Sequence, residues 1–345
     1  MLGVRPPAPF FIYKEMISVK KVKFAIPKGH LGDSTLKRLE RAGYRITGHN
    51  RTYRPGINDG QIELKVLRPQ EIPRFVSEGM QDVGITRYDW VRETKADVVT
   101  LLDLEYSRVK LVLAVPKMWN SVNSFTDLLK KCIEEDRPLR ISTEYLNSSA
   151  EFIKENQLYK EVYGDMEPMV VSPWWRIGEN EKVVIYLSFG ATEAKPPEDA
   201  DAIVEIVDTG TSLTQNNLKI VDQLFETTSM LIANRDALED PAKREKITDI
   251  FTLLKGVVEG AKKLHIFANV LKDNLENLLE KLPALKNPTI SPLSDPDWCA
   301  INTIIDKKLF LEILPDLRNL AQGLVVYEPR QVLPLESINR EFNGK

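Results

Sequence analysis

Short apolar runs alternate along the chain with longer stretches in which apolar positions recur every three or four residues. The runs at 111–116, 183–187 and 202–207 are almost wholly apolar, which is typical of buried strands, and the stretches between such runs predict helices. Strands that alternate with helices indicate a mostly parallel sheet in an α/β fold. The predicted strands are 21–26, 44–47, 62–67, 82–86, 111–116, 140–143, 169–173, 183–187 and 202–207. The predicted helices are 35–42 with Ser34 as N-cap, 69–78, 124–135, 147–156 and 213–226.

The pattern changes after residues 239–262, which predict a charged helical connector. Beyond it the order becomes strand, helix, two strands, helix and strand, and this order is the βαββαβ arrangement of a ferredoxin-like unit. Its predicted elements are 264–270, 273–281, 289–293, 298–305, 307–320 and 323–327.

The strand at 202–207 leads into a turn rich in small hydroxyl residues, Asp208-Thr209-Gly210-Thr211-Ser212-Leu213. Backbone N–H groups at the start of a helix attract phosphate, and Glu205 and Asp208 offer carboxylates that accept hydrogen bonds from ribose hydroxyls. The turn therefore predicts a ribose 5-phosphate site. An ordinary strand-to-helix turn capped by Thr or Ser is an equally open interpretation. We call this segment the 208–213 turn.

Composition narrows the class of protein. The formal net charge of −3, from 47 basic and 50 acidic residues, makes nucleic acid an unexpected partner. Cys132 and Cys299 show no metal or disulfide spacing, and no apolar run has membrane-spanning length. We therefore expect a cytoplasmic protein without a membrane partner. Residues 1–19 are predicted to be an N-terminal extension, and Met16 is a candidate for the true start.

Several separated stretches carry a resemblance to one family. In their order and spacing they are similar to the long form of ATP phosphoribosyltransferase, across residues 20–333. The stretches are Ala25-Ile26-Pro27-Lys28-Gly29, 67–73 (LRPQEIP), 82–86 (DVGIT), 140–145 (RISTEY), the 208–213 turn, and 288–293 (PTISPL) with Asp297-Trp298.

The resemblance implies two catalytic lobes with the fold of type II periplasmic binding proteins, followed by a ferredoxin-like regulatory domain that binds histidine. The implied division is lobe I at 20–112 and 229–262, lobe II at 113–228, the regulatory domain at 263–335 and a tail at 336–345. The implied reaction joins ATP and phosphoribosyl pyrophosphate to give phosphoribosyl-ATP and pyrophosphate, with Mg²⁺ as cofactor. The implied assembly is a homo-oligomer, from dimer to hexamer.

The resemblance also implies roles for individual residues. Glu205 and Asp208 are predicted as catalytic carboxylates and metal ligands, with Glu205 preferred, and Glu193 and Lys28 complete the catalytic set. The residues predicted to bind substrate are Thr209, Gly210, Thr211, Ser212 and Leu213 in the turn, and Gly29, His30, Arg68, Thr86, Lys110 and Glu144 elsewhere.

Three positions depart from the family pattern. His30 stands where many members carry arginine, and a neutral histidine loses the bidentate phosphate contact. Arg87 stands where glycine is usual, so that it either supplies the missing charge or is simply exposed. Lys110 stands where arginine is common.

Ordinary interpretations remain open for several residues. Lys28 could be a surface lysine and Glu193 a solvated loop charge. His49 and His265 are isolated and are interpreted as surface or structural histidines. Trp174-Trp175-Arg176 is interpreted as packing in an insertion or at an oligomer interface, with stacking on adenine as the less favoured alternative.

The effector site is predicted from the resemblance at Leu285, Pro288, Thr289 and Ala300. Phe267 stands where some relatives carry an effector-binding aspartate, so the tail could instead be an oligomerisation module without a ligand. Two other functions compete with the enzyme as a whole. One is a non-enzymatic cytosolic small-molecule sensor with the same two-lobed fold, and the other is a phosphoribosyltransferase for another base.

Overall fold

The computed structural model describes residues 20–49, 51–282, 288–333 and 335–344, which form three α/β units. The predicted N-terminal extension at 1–19 lies outside the described residues. The expected two-lobed α/β core with a ferredoxin-like C-terminal unit is confirmed.

Lobe I is built on a five-stranded sheet. Its strands are β1 (Val22–Pro27), β4 (Ile62–Leu67), β5 (Val83–Arg87), β6 (Val99–Asp103) and β14 (Ser229–Ala233), in the order β4-β1-β5-β14-β6. Strand β1 is parallel to β4 and β5, whereas β14 is antiparallel to β5 and β6. A short hairpin, β2 (Ile46–Thr47) and β3 (Gly56–Ile57), lies outside this sheet.

The lobe I helices pack on both faces of this sheet. They are α1 (His30–Arg41), α2 (Ile72–Ser77), α3 (Tyr88–Thr94), α8 (Arg235–Glu239), α9 (Pro241–Ala261) and α12 (Leu335–Asn343). Alternate residues of β1 explain the two faces. Val22, Phe24 and Ile26 enter the larger core with α1 and α9, and Ala25 enters the smaller core with α2.

Lobe II contains a seven-stranded sheet in the order β10-β9-β11-β8-β12-β7-β13. The strands are β7 (Val109–Pro116), β8 (Leu139–Thr143), β9 (Pro168–Val171), β10 (Arg176–Ile177), β11 (Asn180–Leu187), β12 (Ala202–Val207) and β13 (Leu218–Thr227). The helices are α4 (Phe125–Glu134), α5 (Leu146–Glu155), α6 (Gln157–Tyr163) and α7 (Thr211–Gln215), with a 3₁₀ turn at Thr192–Ala194. The chain crosses between the lobes twice, from β6 to β7 and from β13 to β14.

The C-terminal unit is an antiparallel sheet in the order β16-β17-β15-β18 with two helices on one face. Its elements are β15 (Lys263–Leu271), α10 (Lys272–Lys281), β16 (Thr289–Pro292), β17 (Trp298–Asp306), a 3₁₀ turn at Lys307–Leu309, α11 (Phe310–Leu320) and β18 (Ala321–Tyr327). This strand order is that of a ferredoxin-like unit. No helix in the described part of the chain is both long enough and apolar enough to cross a membrane.

The helix predicted at 213–226 is wrong. Helix α7 ends at Gln215, and Leu218–Thr227 forms the edge strand β13 instead. Pairing with β7 along the whole of β13 outweighs the helical pattern of the segment, since tertiary context overrides local propensity.

Several further boundaries differ from the prediction, including one in each of α1, β7 and α12. Helix α1 begins at His30, so Ser34 lies inside it and is not its N-cap, because Gly29 with φ 78° turns the chain directly into the helix. Strand β7 starts at Val109 and belongs wholly to lobe II, so the predicted boundary at 112 falls inside a strand. Most of the predicted tail at 336–345 lies in helix α12.

Helix α12 returns to lobe I and packs against α9. Phe342 is 4% exposed, and its ring meets the Phe251 ring edge-on, with centroids 5.4 Å apart. We expect Phe342→Ala to lower the free energy of unfolding by about 3–5 kcal/mol, because it leaves a cavity under α9. Chemical denaturation of the full-length protein, which gives the free energy of unfolding, provides the measurement. Leu335→Ala is the matched control, since Leu335 on the same helix is 66% exposed, and equal effects of the two substitutions would contradict this packing.

Candidate active site between the lobes

The parallel strands β1, β4 and β5 end at the same edge of the lobe I sheet. Lys28 follows β1, Arg68 follows β4, and Thr86 lies near the end of β5. The Lys28 N–H donates to the Leu67 carbonyl at 2.7 Å, so the first two strand ends are adjacent. Thr86 is buried, and its hydroxyl donates to the Pro69 carbonyl at 2.9 Å. One predicted catalytic residue, Lys28, and two predicted substrate-binding residues, Arg68 and Thr86, therefore share one edge, where Thr86 hydrogen-bonds to the neighbouring loop.

The loop after β1 presents a cation to solvent. The Lys28 ammonium donates to the Tyr53 hydroxyl at 2.6 Å and lies 4.7 Å from the centre of that ring. Gly29 and His30 are exposed beside it, and a cavity of about 250 Å³ adjoins Lys28, Gly29 and His49. His49 thus lines a cavity next to a predicted site residue, although its position in the sequence gave no sign of this.

The corresponding edge of lobe II carries three more of the predicted residues. Glu144 follows β8 and Asp208 follows β12, at the same ends of parallel strands. Strand β7 runs antiparallel to β12 and pairs Lys110 with Val207, which brings an exposed lysine to the same edge. The alternation along β7 and β12 places Lys110 on the face of the sheet that carries Glu205.

Glu205 lies in the half-buried part of this edge. One carboxylate oxygen accepts from the Thr192 hydroxyl at 2.6 Å, and the other accepts from the Ile206 N–H at 3.0 Å. Burial raises the pKa of Glu205, and the nearby carboxylates of Glu144 and Glu193 raise it further, although the two hydrogen bonds oppose this. Glu144 and Glu193 are thus close enough to act on the charge of Glu205.

The 208–213 turn has the local geometry of an anion-binding turn. Gly210 adopts φ 77°, and α7 begins at Thr211, so the first N–H groups of that helix have no acceptor within the helix. The hydroxyls of Thr209 and Thr211 are 2.9 Å apart, and the Ser212 hydroxyl donates to Glu193 at 2.5 Å. Leu213 is buried among Val112, Ala114, Ile203 and Leu218, which anchors the turn to the sheet.

Asp208 is the carboxylate best suited to a metal ion. It is exposed and makes no hydrogen bond or ion pair with any described residue, whereas both oxygens of Glu205 already accept hydrogen bonds. No group of three or more His, Cys, Asp and Glu side chains among the described residues is arranged to hold a metal ion. An Mg²⁺ ion bound through one carboxylate, water and substrate phosphates agrees with this donor set.

Lys195 is a site residue that sequence reasoning missed. Its ammonium donates to the Ser142 hydroxyl at 3.2 Å and to the Ser188 hydroxyl, at the ends of β8 and β11. These bonds tie the loop that carries Thr192 and Glu193 to the sheet. The only sequence signal was a lysine within that predicted loop, and nothing in the pattern directed its side chain inward.

Arg87 is neither exposed nor available to a ligand. Its guanidinium makes a two-pronged contact with Asp89 at 3.0 and 2.9 Å, and the Arg87 side chain is only 12% exposed. The expectation that it either replaces the charge missing at His30 or lies on the surface is therefore wrong, because an intramolecular carboxylate already occupies it.

The predicted effector residues are only partly described. Leu285 lies outside the described residues. Thr289 is exposed on β16 and pairs with Asn302, while Ala300 is buried on the adjacent strand β17 and pairs with Ser291. Pro288 precedes β16. A cavity of about 480 Å³ adjoins this region, lined by Lys272, Asp273, Leu275, Glu276, Ile290, Pro292 and Cys299 and by none of the three described residues predicted to bind the effector.

The open face of the C-terminal sheet carries two other residues considered above. Phe267 is 39% exposed there, and His265 hydrogen-bonds to Asn302 on β17. The interpretation of His265 as a structural histidine agrees with that bond.

The raised pKa of Glu205 has a consequence for stability. Since the folded-state pKa lies above the ordinary value of 4.5, ionisation of Glu205 costs folding free energy, and this cost grows as the pH rises through the folded-state pKa. We expect Glu205→Gln to raise Tm relative to the unaltered protein near pH 8, and this advantage to shrink as the pH falls towards 4.5. Thermal denaturation over that pH series is the measurement. A variant that is less stable at the alkaline end would contradict the assigned burial.

Two family models match the chain. The one described as ATP phosphoribosyltransferase matches residues 68–256, and the one described as HisG, C-terminal domain matches residues 261–330. They join at the boundary between the two-lobed core and the C-terminal sheet.

Individual relatives give the same result. The chain is 39% identical over 318 residues to ATP phosphoribosyltransferase of Solibacter usitatus, which covers 90% of this chain and 99% of that one. It is 38% identical to the enzyme of the same name from Chlorobaculum parvum, covering 90% of this chain and 97% of that one. A solved structure, the ATP phosphoribosyl transferase (HisG:HisZ) complex from Thermotoga maritima, superposes with a TM-score of 0.51 at 24% identity over 69% of this chain and 98% of that chain. This last likeness supports the fold.

Proposed function

This chain belongs to the ATP phosphoribosyltransferase family, and we propose that its lobe II edge holds phosphoribosyl pyrophosphate while ATP approaches from lobe I. The reaction transfers the phosphoribosyl group to N1 of ATP and releases pyrophosphate, as the first step of histidine biosynthesis. The observation that carries the proposed site is the 208–213 turn, because it combines unpaired helix N–H groups, three hydroxyls and adjacent carboxylates at one strand end.

The 5-phosphate is assigned to the 208–213 turn, where N–H groups and one hydroxyl of the Thr209–Thr211 pair donate to its oxygens. Glu193 fixes the Ser212 hydroxyl and Thr192 fixes Glu205, so the loop and the strand are organised before substrate binds. Such preorganisation lowers the barrier by positioning.

Bond cleavage at C1 places positive charge on the ribose ring and negative charge on pyrophosphate. We assign the Glu205 carboxylate to the developing ring charge, since a fixed anion there stabilises the transition state more than the ground state. Lys28 from lobe I and Lys110 from lobe II are assigned to the departing pyrophosphate. Asp208 would hold Mg²⁺, which when bound offsets the charge of the diphosphate.

No activated nucleophile is required, because adenine N1 already carries a lone pair. The two cysteines of the chain agree with a reaction that needs no thiolate nucleophile. Both cysteines are buried, and burial raises the pKa of Cys132 to about 11, so that this thiol is protonated at neutral pH. We assign catalysis to the orientation of the two substrates and to the fixed charges of the protein around them.

The test is an ultraviolet assay with ATP, phosphoribosyl pyrophosphate and Mg²⁺. We expect absorbance to change as N1-alkylated adenine forms, and to stay constant when N1-methylated ATP replaces ATP. An absence of change with all three components, or an equal rate with another base, would contradict the proposed function. Chelation of Mg²⁺ should abolish the change, and its return on adding Mg²⁺ tests the cofactor.

Histidine as an inhibitor and homo-oligomerisation are separate proposals. The C-terminal unit supplies a candidate for both, through the cavity beside β16 and the open sheet face that exposes Phe267, Val325 and Tyr327. Titration calorimetry without heat at millimolar histidine would remove the first proposal. Light scattering that finds only monomers would remove the second.

A further inference from the structure

The two lobes are joined behind the proposed site by a buried polar network. Arg87 ends strand β5 of lobe I, and Asp89 lies in the first turn of α3 directly after it. Tyr145 of lobe II follows Glu144 at the end of β8. Its hydroxyl donates to Asp89 Oδ2 at 2.8 Å and accepts from Arg87 Nη2 at 3.2 Å. The network therefore connects the active-site ends of two strands, one from each lobe.

The network is closed and shielded from water. The side chain of Asp89 is 0% exposed, and its second oxygen accepts from the Thr227 hydroxyl at 3.2 Å, where β13 leads back to lobe I. Arg87 balances the buried charge. Burial and the neighbouring Asp89 raise the pKa of Tyr145 well above its ordinary value, so the phenol stays protonated and remains a donor. Every polar group of Asp89 thus has a partner, and these partners come from both lobes.

A second set of contacts holds helix α3 of lobe I against the start of helix α5 of lobe II. Trp90 of α3 stacks on Tyr145 with ring centroids 4.6 Å apart. The Glu93 carboxylate accepts from the N–H groups of Asn147 and Ser148 at 2.8 and 3.0 Å, at the positive end of α5. Helix α3 of lobe I is therefore fixed to the start of α5 in lobe II by packing as well as by hydrogen bonds.

We propose that the Arg87–Asp89–Tyr145 network sets the separation of the two active-site edges, which makes Arg87 and Tyr145 positioning residues for the transfer reaction. This inference rests on the proposed function. Two of its three members adjoin a predicted substrate-binding residue, since Thr86 precedes Arg87 and Glu144 precedes Tyr145. A shift of one lobe against the other moves the attacking ATP relative to the sugar held by lobe II. Misplacement by about 1 Å can cost roughly 100-fold in rate.

If the network sets the lobe separation, substitutions in it should affect turnover more than the binding of phosphoribosyl pyrophosphate. The 208–213 turn lies wholly in lobe II, so Tyr145→Phe and Arg87→Met should change the dissociation constant of phosphoribosyl pyrophosphate far less than kcat. Both should lower kcat by roughly 10- to 100-fold. Arg87→Lys keeps the charge but loses the two-pronged contact, so it should recover part of the loss.

Paired nitroxide labels measure the lobe separation independently of activity. Met80→Cys in lobe I and Met118→Cys in lobe II provide exposed sites, and both native cysteines are buried. We expect the distance distribution between the labels to broaden in Tyr145→Phe and Arg87→Met. If Arg87→Met does not fold because Asp89 loses its counter-charge, Arg87→Met with Asp89→Asn removes both charges and takes its place.

Tyr159→Phe is the matched control. The Tyr159 hydroxyl donates to the Met166 carbonyl at 2.7 Å inside lobe II, so its loss should lower Tm without changing kcat or the distance distribution. A wild-type kcat in the network variants, or a lowered kcat with an unchanged distribution, would overturn the proposal. If the unaltered protein fails to bind phosphoribosyl pyrophosphate, the proposed function fails, and the distance measurement alone then decides whether the network sets the lobe separation.

Discussion

Glu205→Gln is expected to lower kcat by roughly 10²- to 10³-fold, the effect of removing a preorganised charge from a transition state. The amide keeps the shape of the side chain and can still bond to Thr192 and the Ile206 N–H, so the fold and the 208–213 turn should stay intact. Steady-state kinetics with both substrates is the measurement. The KM for phosphoribosyl pyrophosphate should change far less than kcat, since the 5-phosphate contacts remain.

Glu198→Gln is the matched control for Glu205→Gln. Glu198 is exposed in the same loop region, and within the described part of the chain only its backbone carbonyl is engaged, by Arg140. It should retain full turnover. Near-normal turnover in Glu205→Gln would remove Glu205 from the catalytic set, and an equal loss in both variants would point to general charge effects instead of a specific role.

Gly210→Ala is expected to weaken phosphoribosyl pyrophosphate binding by roughly 10- to 100-fold, the equivalent of losing one hydrogen bond to a charged group. An added Cβ meets only the Val207 side chain, at 3.7 Å, so space is not the difficulty. The backbone at φ 77° is costly for any residue with a Cβ, and relief of that strain rotates the N–H groups away from the phosphate. Calorimetric titration with phosphoribosyl pyrophosphate measures the change.

Gly164→Ala is the control that distinguishes the effect of backbone strain on stability from an effect on phosphoribosyl pyrophosphate binding. Gly164 also has a positive φ, 62°, and an added Cβ there meets nothing within 4 Å, at the end of α6 away from the proposed site. It should lower stability and leave binding unchanged. Unaltered affinity in Gly210→Ala would show that the turn does not hold the phosphate.

The arrangement of elements was predictable from the sequence in part, at several segments of strong apolar periodicity. The buried strands at 111–116 and 202–207 and the βαββαβ order of the C-terminal unit are present as predicted, because burial on one or both faces leaves a direct pattern in the residues. Strand β13 was missed because its residues alternate poorly, and the strand is stabilised by its pairing with β7.

The candidate site was predictable in its parts but not in its connections. The positions after strand ends, such as Lys28, Glu144 and Asp208, follow from the rule that ligands bind at the carboxyl ends of strands. The contacts of Arg87 with Tyr145 and of Lys195 with Ser142 join residues more than 50 positions apart, and a linear pattern contains no such distances. The position of His49 beside the cavity next to Lys28 was likewise not visible in the linear pattern, because it depends on how the chain folds.

The most direct test is a crystal structure with phosphoribosyl pyrophosphate and Mg²⁺ bound. The 5-phosphate oxygens should lie about 2.7–3.2 Å from backbone N–H nitrogens of the 208–213 turn, with C1 of the ribose open towards Lys28 and the lobe I edge. Density for the sugar phosphate at any other place, or a 208–213 turn closed by the protein's own side chains, would contradict the account.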